Sequence, residues 1–365
     1  MMDYFIKNSA AQSERERELQ QHTYKPGRSI CFVVEEPTLR EVFAATFRDR
    51  VIHHLLYNFL EPIFEPKFID QSYACRKNKG THQSLKNLQK YLRKITQNNR
   101  RKVYFMHLDI KGFFMSLKKD ILFNLISKQV KNPEFLWLAK IIIFNDPIEN
   151  FTAKGNLSLF DKIPAHKSLF HVPRGQGLPI GNLTSQFFAN IYLNELDQFA
   201  KHDLKARYYM RYVDDFLILS DDKNQLKEWR NRIIYFLGQH LELNINLQKQ
   251  IIQTNDKGID WLGYIIKPSH ILIRQRTVKA LKRKLFLFNQ KILSPKIKHP
   301  IRLWTPELGD DFKQIFTTIN SYYGFLKYAN TFRLRRHIYK KHFGILKIYL
   351  APADKNYSYF IWSNG

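Results

Sequence analysis

Tyr208-Tyr209-Met210-Arg211-Tyr212-Val213-Asp214-Asp215-Phe216-Leu217-Ile218-Leu219 is the stretch on which the reading of this chain turns. Two runs rich in aromatic and β-prone residues flank a pair of adjacent carboxylates, the pattern of a β-hairpin with Asp214 and Asp215 at its turn. Side-by-side anions repel, and a fold tolerates them most easily where a divalent cation neutralises the pair. An Asp-Asp turn that simply faces water has the same pattern, so the hairpin alone decides nothing. A second segment tips the balance. Val103-Tyr104-Phe105-Met106-His107-Leu108-Asp109 is another short apolar run ending in a carboxylate. Pairing it with the hairpin puts three carboxylates around one or two metal ions, the equipment for in-line phosphoryl transfer.

The rest of the chain agrees with that chemistry. Its 365 residues suffice for two or three domains, or one multi-lobed enzyme, with ample core. A hydrophobic content of 44% with 15% aromatics argues against disorder. Lys and Arg number 59 against 32 Asp and Glu, a net charge of +27, and a globular chain so basic faces a polyanion. The aromatic richness suits nucleic acid, because bases stack on rings while cations follow phosphates. No basic amphipathic terminus, lipidation motif or apolar run of spanning length favours a membrane instead. Residues 1–21 have no apolar signal core. Cys31 and Cys75 lack metal-ligand spacing, so the chain reads as a reduced, intracellular protein without disulfides.

Taken in order, residues 1–23 read as a polar helix or tail, 30–34 as a strand and 40–60 as a helix broken by Pro62 and Pro66. Residues 70–82 read as a basic loop, either simply exposed or one in which Gly80 and its cationic neighbours approach a phosphate, and 84–95 as an amphipathic helix with a basic face. Phe114 lies five residues past Asp109 and therefore close to the expected metal. Two helices are predicted within 117–145 and a loop over 146–172. Pro173-Arg174-Gly175-Gln176-Gly177-Leu178-Pro179-Ile180-Gly181-Asn182-Leu183-Thr184-Ser185-Gln186 follows. Its glycines do not have the G-x-G-x-x-G spacing of a dinucleotide fingerprint. They read as a turn into a helix over 182–201, with backbone amides offered to a nucleotide or a nucleic-acid strand. A helix over 223–239 is expected next, then a hairpin with 260–266 as one arm and 271–273 as its return. Helices at 276–292, 310–328 and 331–349 are strongly basic, as expected of a lobe lying along a phosphate backbone. His53, His54, His166 and His171 have no partner at zinc-site spacing and read as structural or surface residues.

In this order, the segments resemble a reverse transcriptase, over nearly the whole chain from about Arg28 to the last helix. The resemblance rests jointly on Asp109, the Gly-rich motif, Tyr212-Val213-Asp214-Asp215 and Trp261-Leu262-Gly263-Tyr264. It narrows at Ile180-Gly181-Asn182-Leu183-Thr184-Ser185-Gln186, which looks like the form found in reverse transcriptases of diversity-generating retroelements. Most other reverse transcriptases have Gln where Ile180 stands and Pro where Gln186 stands. Phe47-Arg48-Asp49-Arg50-Val51-Ile52-His53-His54-Leu55-Leu56, Ser72-Tyr73-Ala74-Cys75-Arg76-Lys77 and Tyr323-Gly324-Phe325-Leu326-Lys327-Tyr328-Ala329-Asn330 also look like that subgroup.

The resemblance implies an α+β right-hand polymerase with fingers, a palm of antiparallel sheet with helices on one face, and a helical thumb. Mapped onto this chain it implies an N-terminal polar extension (1–27), fingers (28–100), a first part of the palm (101–119) and a fingers/palm insertion (120–172). The palm with catalytic hairpin and primer grip (173–273) and the thumb (274–365) follow. It implies RNA-directed DNA synthesis with two Mg²⁺ ions, Mn²⁺ being the substitute. Asp109 and Asp214 would bridge the ions, Asp215 would support them, and the Ile110 carbonyl would be a further ligand. Arg76 would clamp the incoming deoxynucleoside triphosphate, with Arg40 and Lys79 as further candidates. Ile180 and Gln186 would lie by the nascent pair, and Phe114 would be the steric gate against a 2′-hydroxyl. Tyr212, Lys249 and the primer-grip residues Trp261, Leu262, Gly263 and Tyr264 would contact primer and template. The implied partners are a structured template RNA, the RNA/cDNA duplex and a basic pentameric accessory variability protein, with no membrane. The setting would be the cytoplasm, the gene bacterial or phage-encoded, and the cDNA mutated opposite template adenines. A retron or group II intron type of polymerase, or a non-catalytic RNA-binding maturase or scaffold, are the alternatives.

Overall fold

The computed structural model describes residues 16–35, 38–293 and 306–363. Most of the expected N-terminal tail, and the basic connection at 294–305, lie outside the described residues. The strands are β1 (Ser29–Val34), β2 (Arg40–Ala44), β3 (Tyr104–Asp109), β4 (Phe151–Lys154), β5 (Tyr208–Tyr212), β6 (Asp215–Ser220), β7 (Ile251–Thr254), β8 (Ile259–Trp261), β9 (Tyr264–Ile266), β10 (Ile271–Ile273), β11 (Leu350–Pro352) and β12 (Phe360–Trp362). Helices fill most of the intervals between them, and the whole is an α+β architecture.

The chain forms two compact units, the first made of Met1–Asn78, His107–Ile218 and Lys227–Ile251. Its centre is the helix Leu183–Gln198, in which Phe187, Phe188, Ile191, Tyr192, Leu193 and Leu196 are all buried. A helix buried on most sides belongs in a core, and this one packs against the helices Phe47–Phe64 and Lys119–Gln129. The first unit also holds the sheet β2-β1-β4, in which β1 pairs antiparallel with β2 and parallel with β4. A second sheet has the order β5-β6-β3-β7, so β3 lies beside the second arm of the hairpin, as the sequence pairing required.

The second unit comprises Lys79–Met106, Leu219–Leu226 and Ile252–Gly365. It contains the helix Thr81–Ile95, the sheet β10-β9-β8 and the C-terminal helices. Trp261 is fully buried there and donates from Nε1 to Ser84 Oγ at 2.7 Å. Tyr264 OH donates to the Phe325 carbonyl at 2.9 Å, and a Cβ on Gly263 would lie 2.8 Å from the Phe325 ring. Among the described residues no helix is long and apolar enough to cross a membrane.

Four expectations are corrected. The stretch from Arg40 opens as a strand, because Val42 and Phe43 suit a pleated surface. Its helix begins only at Phe47, capped by Thr46, whose side chain accepts from Asp49 N, and it runs through Pro62 to Phe64. Residues 146–172 include β4 and three short 3₁₀ turns, a strand too short and too exposed to show a period. Residues 260–266 are not one arm but a hairpin of their own, since Leu262 (φ 49°) and Gly263 (φ 91°) make the turn between β8 and β9. The expected helix over 331–349 breaks after His342, where Gly344 has φ 53°, and the β11–β12 hairpin follows it.

Candidate active site

The hairpin turn is held by an arginine. Val213 has φ 55°, which is costly for a β-branched residue, about 1–3 kcal/mol. Arg211, two residues earlier and fully buried, donates from Nη1 to the Val213 carbonyl at 3.0 Å. Its other donors reach Asp197 Oδ1 (2.8 Å) and Oδ2 (2.7 Å), Asn190 Oδ1 (3.2 Å) and Ser72 Oγ (3.0 Å). All five guanidinium N–H groups therefore have an acceptor. Tyr209 OH also donates to Asp197 Oδ1, at 2.6 Å. The central helix thus supplies a buried carboxylate that fixes β5, and β5 fixes the turn that carries Asp214 and Asp215.

Asp109 ends β3 and is 8% exposed. Its Oδ2 accepts from Lys249 Nζ at 2.9 Å and Asn246 Nδ2 at 3.1 Å. Asp215 Oδ1 lies 3.3 Å from His107 Nε2. Burial, with the charges of Asp215 and then Asp109 added, pushes the Asp214 carboxyl up to about 7. Three acidic groups are therefore close enough to feel one another. Among the described residues no three His, Cys, Asp or Glu side chains are already drawn into a metal cage. Asp109 is turned instead to Lys249 and Asn246, and Asp215 to His107. Crowded carboxyl groups, of which Asp214 has a raised pKa and Asp109 is already paired with an ammonium, fit a hard divalent cation that takes oxygen ligands.

Asp109 and Asp214 open onto a cavity of about 1020 Å³, whose walls include Ile110, Phe114, Ile180, Arg40 and Lys249. That is at the upper end of the range of about 300–1,000 Å³ for ligand pockets, enough for a nucleotide and the end of a strand. Phe114 and Ile180 pack on one apolar cluster around Cys31, Phe43, Met115 and Leu169. Ile180 is anchored through its carbonyl, which accepts from Phe43 N at 2.8 Å. The neighbouring Gly181, at φ 130°, is required by that contact, because a Cβ there would stand 2.6 Å from the Phe43 carbonyl oxygen.

Other sequence-selected residues lie elsewhere. Arg76 is not among the cavity walls. Its guanidinium pairs with Glu65 and donates to the carbonyls of Ile69 (2.6 Å) and Ser72 (2.9 Å). Gln186 is exposed on the central helix, outside the cavity walls. Tyr212, in β5, and Asp215 are half-buried and likewise outside them. Lys79 and the run Trp261, Leu262, Gly263 and Tyr264 belong to the second unit. The Gly-rich loop corrects another expectation. Gly177 N donates to the Leu117 carbonyl and Leu178 N to the Phe114 carbonyl, both at 2.8 Å. Those amides position the steric-gate candidate rather than face a ligand.

Residues that the sequence did not assign to the site also reach it. His166, read from the sequence as structural or surface, lines the cavity together with Lys167, although their segment reads as an unpatterned loop. Glu41, 1% exposed, holds that segment by accepting from Ser168 Oγ and Leu169 N. Asn246 and His107 touch two of the carboxylates. Only His107 had a local signal, its place two residues before Asp109.

A family model described as reverse transcriptase (RNA-dependent DNA polymerase) matches residues 35–266, and the chain belongs to that family. Protein YkfC of Escherichia coli (strain K12) is 24% identical over 284 residues, 69% of this chain and 68% of that protein. Group II intron-encoded protein LtrA of Lactococcus lactis subsp. cremoris is 22% identical over 309 residues, 68% of this chain. That match spans 47% of LtrA, about half its length. A solved structure of telomerase from Candida albicans with a TWJ fragment of telomeric RNA is 12% identical, with a TM-score of 0.49. The similarity covers 92% of this chain and 58% of the telomerase chain.

Proposed function

We propose that this chain is an RNA-directed DNA polymerase of the diversity-generating type, copying a structured RNA into adenine-mutagenised cDNA. The observation that carries the polymerase reading is the opening of Asp109 and Asp214 onto one cavity with Phe114 and Ile180 on its walls. Asp109 and Asp214, supported by Asp215 and the Ile110 carbonyl, would hold two Mg²⁺ ions. Bound there, the ions supply charge neutralisation and an activated primer hydroxyl. The protein's own part is position and electrostatics. Arg211 orients the carboxylate turn, Lys249 balances Asp109, and Phe114 excludes a 2′-hydroxyl. The boundaries expected for fingers, palm and thumb belong to the same proposal.

The subgroup rests on Ile180. A Gln at that position offers polar groups beside a nascent pair, and Ile offers none. Discrimination by polar contacts is much sharper than discrimination by apolar ones. The match to LtrA supports a second reading, a group II intron type of polymerase or maturase.

Primer extension on RNA with Mg²⁺ and four deoxynucleoside triphosphates, with sequenced products and Asp214→Ala as control, tests these readings. Errors concentrated opposite template adenine are expected. Accurate cDNA would favour the intron type. No synthesis, even with the cognate RNA and accessory protein, would leave an RNA-binding scaffold.

A further inference from the structure

The helix Thr81–Ile95 buries Ser84, Leu85, Leu88 and Leu92 and contains no acidic residue. Its opposite side borders an open groove of about 590 Å³, lined by Lys86, Gln89, Lys90, Arg93, Lys94 and Gln97, with no carboxylate and no aromatic ring. Lys86, Lys90 and Lys94 recur every four residues, which sets them about 6 Å apart along the axis in one slanting row. The face is rigidly mounted. Gln89 Nε2 donates to the Lys267 carbonyl at 3.1 Å and Arg93 Nε to the Pro268 carbonyl at 2.7 Å, both within the second unit.

We infer that this face binds the backbone of a base-paired RNA segment. Like-charged lysines in a fixed row repel one another, and a phosphate chain relieves that repulsion while releasing its counterions. The absence of rings along the groove argues against single strands, which are held by base stacking. The interleaved amides suit the phosphates and 2′-hydroxyls through which duplex RNA is recognised. A membrane surface needs apolar side chains among the cations, and none lines the groove. The choice of RNA over DNA rests on the polymerase reading above; the polyanion site rests on the geometry alone.

The test is equilibrium binding of a fluorescent RNA hairpin by the full chain, without primer, nucleotides or metal requirement, across a salt series. Its outcome therefore does not depend on whether the carboxylate site polymerises. Replacing Lys86, Lys90 and Lys94 together by Ala is expected to make the slope of log affinity against log salt shallower by about 2–3. Raising salt from 50 to 200 mM then weakens the wild type about 40-fold more than the variant. Replacing all three by Arg keeps the wild-type slope and shows that the surface still folds. A slope within about one unit of wild type in the Ala variant would overturn the inference. So would an equal loss on oligo(U), an equal affinity for a DNA hairpin of the same sequence, or loss of phosphatidylserine-vesicle binding with hairpin binding intact.

Discussion

Replacing Arg211 by Met removes five hydrogen bonds and half of a fully buried ion pair. Asp197 is left as a charge at 0% exposure, with only the Tyr209 hydroxyl among those partners still donating to it. Breaking such a pair from one side costs about 3–5 kcal/mol. Against a total of about 5–15 kcal/mol for a domain, that loss is large. Chemical denaturation followed by circular dichroism should show the first unit's transition moving by that amount. The double variant Arg211→Met/Asp197→Asn takes away the orphaned charge but keeps an oxygen for Tyr209, so it should recover most of the stability. It does not restore the donor to the Val213 carbonyl. Its kcat for primer extension should therefore stay at least about tenfold below wild type, the KM for nucleotide changing little, because about 1.4 kcal/mol of misplacement is tenfold in rate. A destabilisation below about 1 kcal/mol in the single variant would refute the buried-pair reasoning. A double variant that polymerises like wild type would refute the positioning role.

Further expectations follow from the same geometry. Burial holds the His53 imidazole down at about 4, below its ordinary 6.5, so the unfolded chain takes up the proton first as pH falls. Up to about 3 kcal/mol of stability present above pH 6.5 is then lost between 6.5 and 4, and His53→Gln should flatten that window in a pH series of denaturation midpoints. Millimolar Mg²⁺ should raise the melting temperature of the wild type, by the equivalent of about 2.7 kcal/mol at a hundredfold excess over Kd, and of neither Asp109→Asn nor Asp214→Asn. Ile180→Gln should lower the error rate opposite template adenines, and an unchanged spectrum in sequenced cDNA would count against the fidelity argument. Gly181→Ala drives a Cβ against the Phe43 carbonyl oxygen at 2.6 Å, so it should lower stability by more than about 1 kcal/mol and displace Ile180, measured by denaturation.

Much of the site was legible because its signals are local. Runs of β-formers on both sides of Asp214 and Asp215 read as a hairpin, and the apolar run into Asp109 reads as a strand. Phe114 was found from its distance along the chain, and Ile180 from the motif around it. Other contacts were not legible, for equally physical reasons. Arg76, expected from the resemblance to clamp a nucleotide, pairs with Glu65 and is not among the cavity walls, and no spacing reveals that contact. The Gly-rich turn looked like a source of open amides, but those of Gly177 and Leu178 donate to the carbonyls of Leu117 and Phe114 respectively. Strand β4 showed no period because only four residues form it.

The sequence by itself determined the charge balance, the two carboxylate-bearing strands, the Gly-rich turn and the helical, basic C-terminal lobe, because each depends on residue type and short spacing. Only the tertiary structure decided which polar groups meet. Lys249 reaches Asp109 across 140 residues, Glu41 reaches Leu169 across 128, and Ser72 reaches Arg211 across 139. No periodicity encodes such pairs, since a buried charge finds its partner through the packing of whole elements, and that packing is chosen by the core.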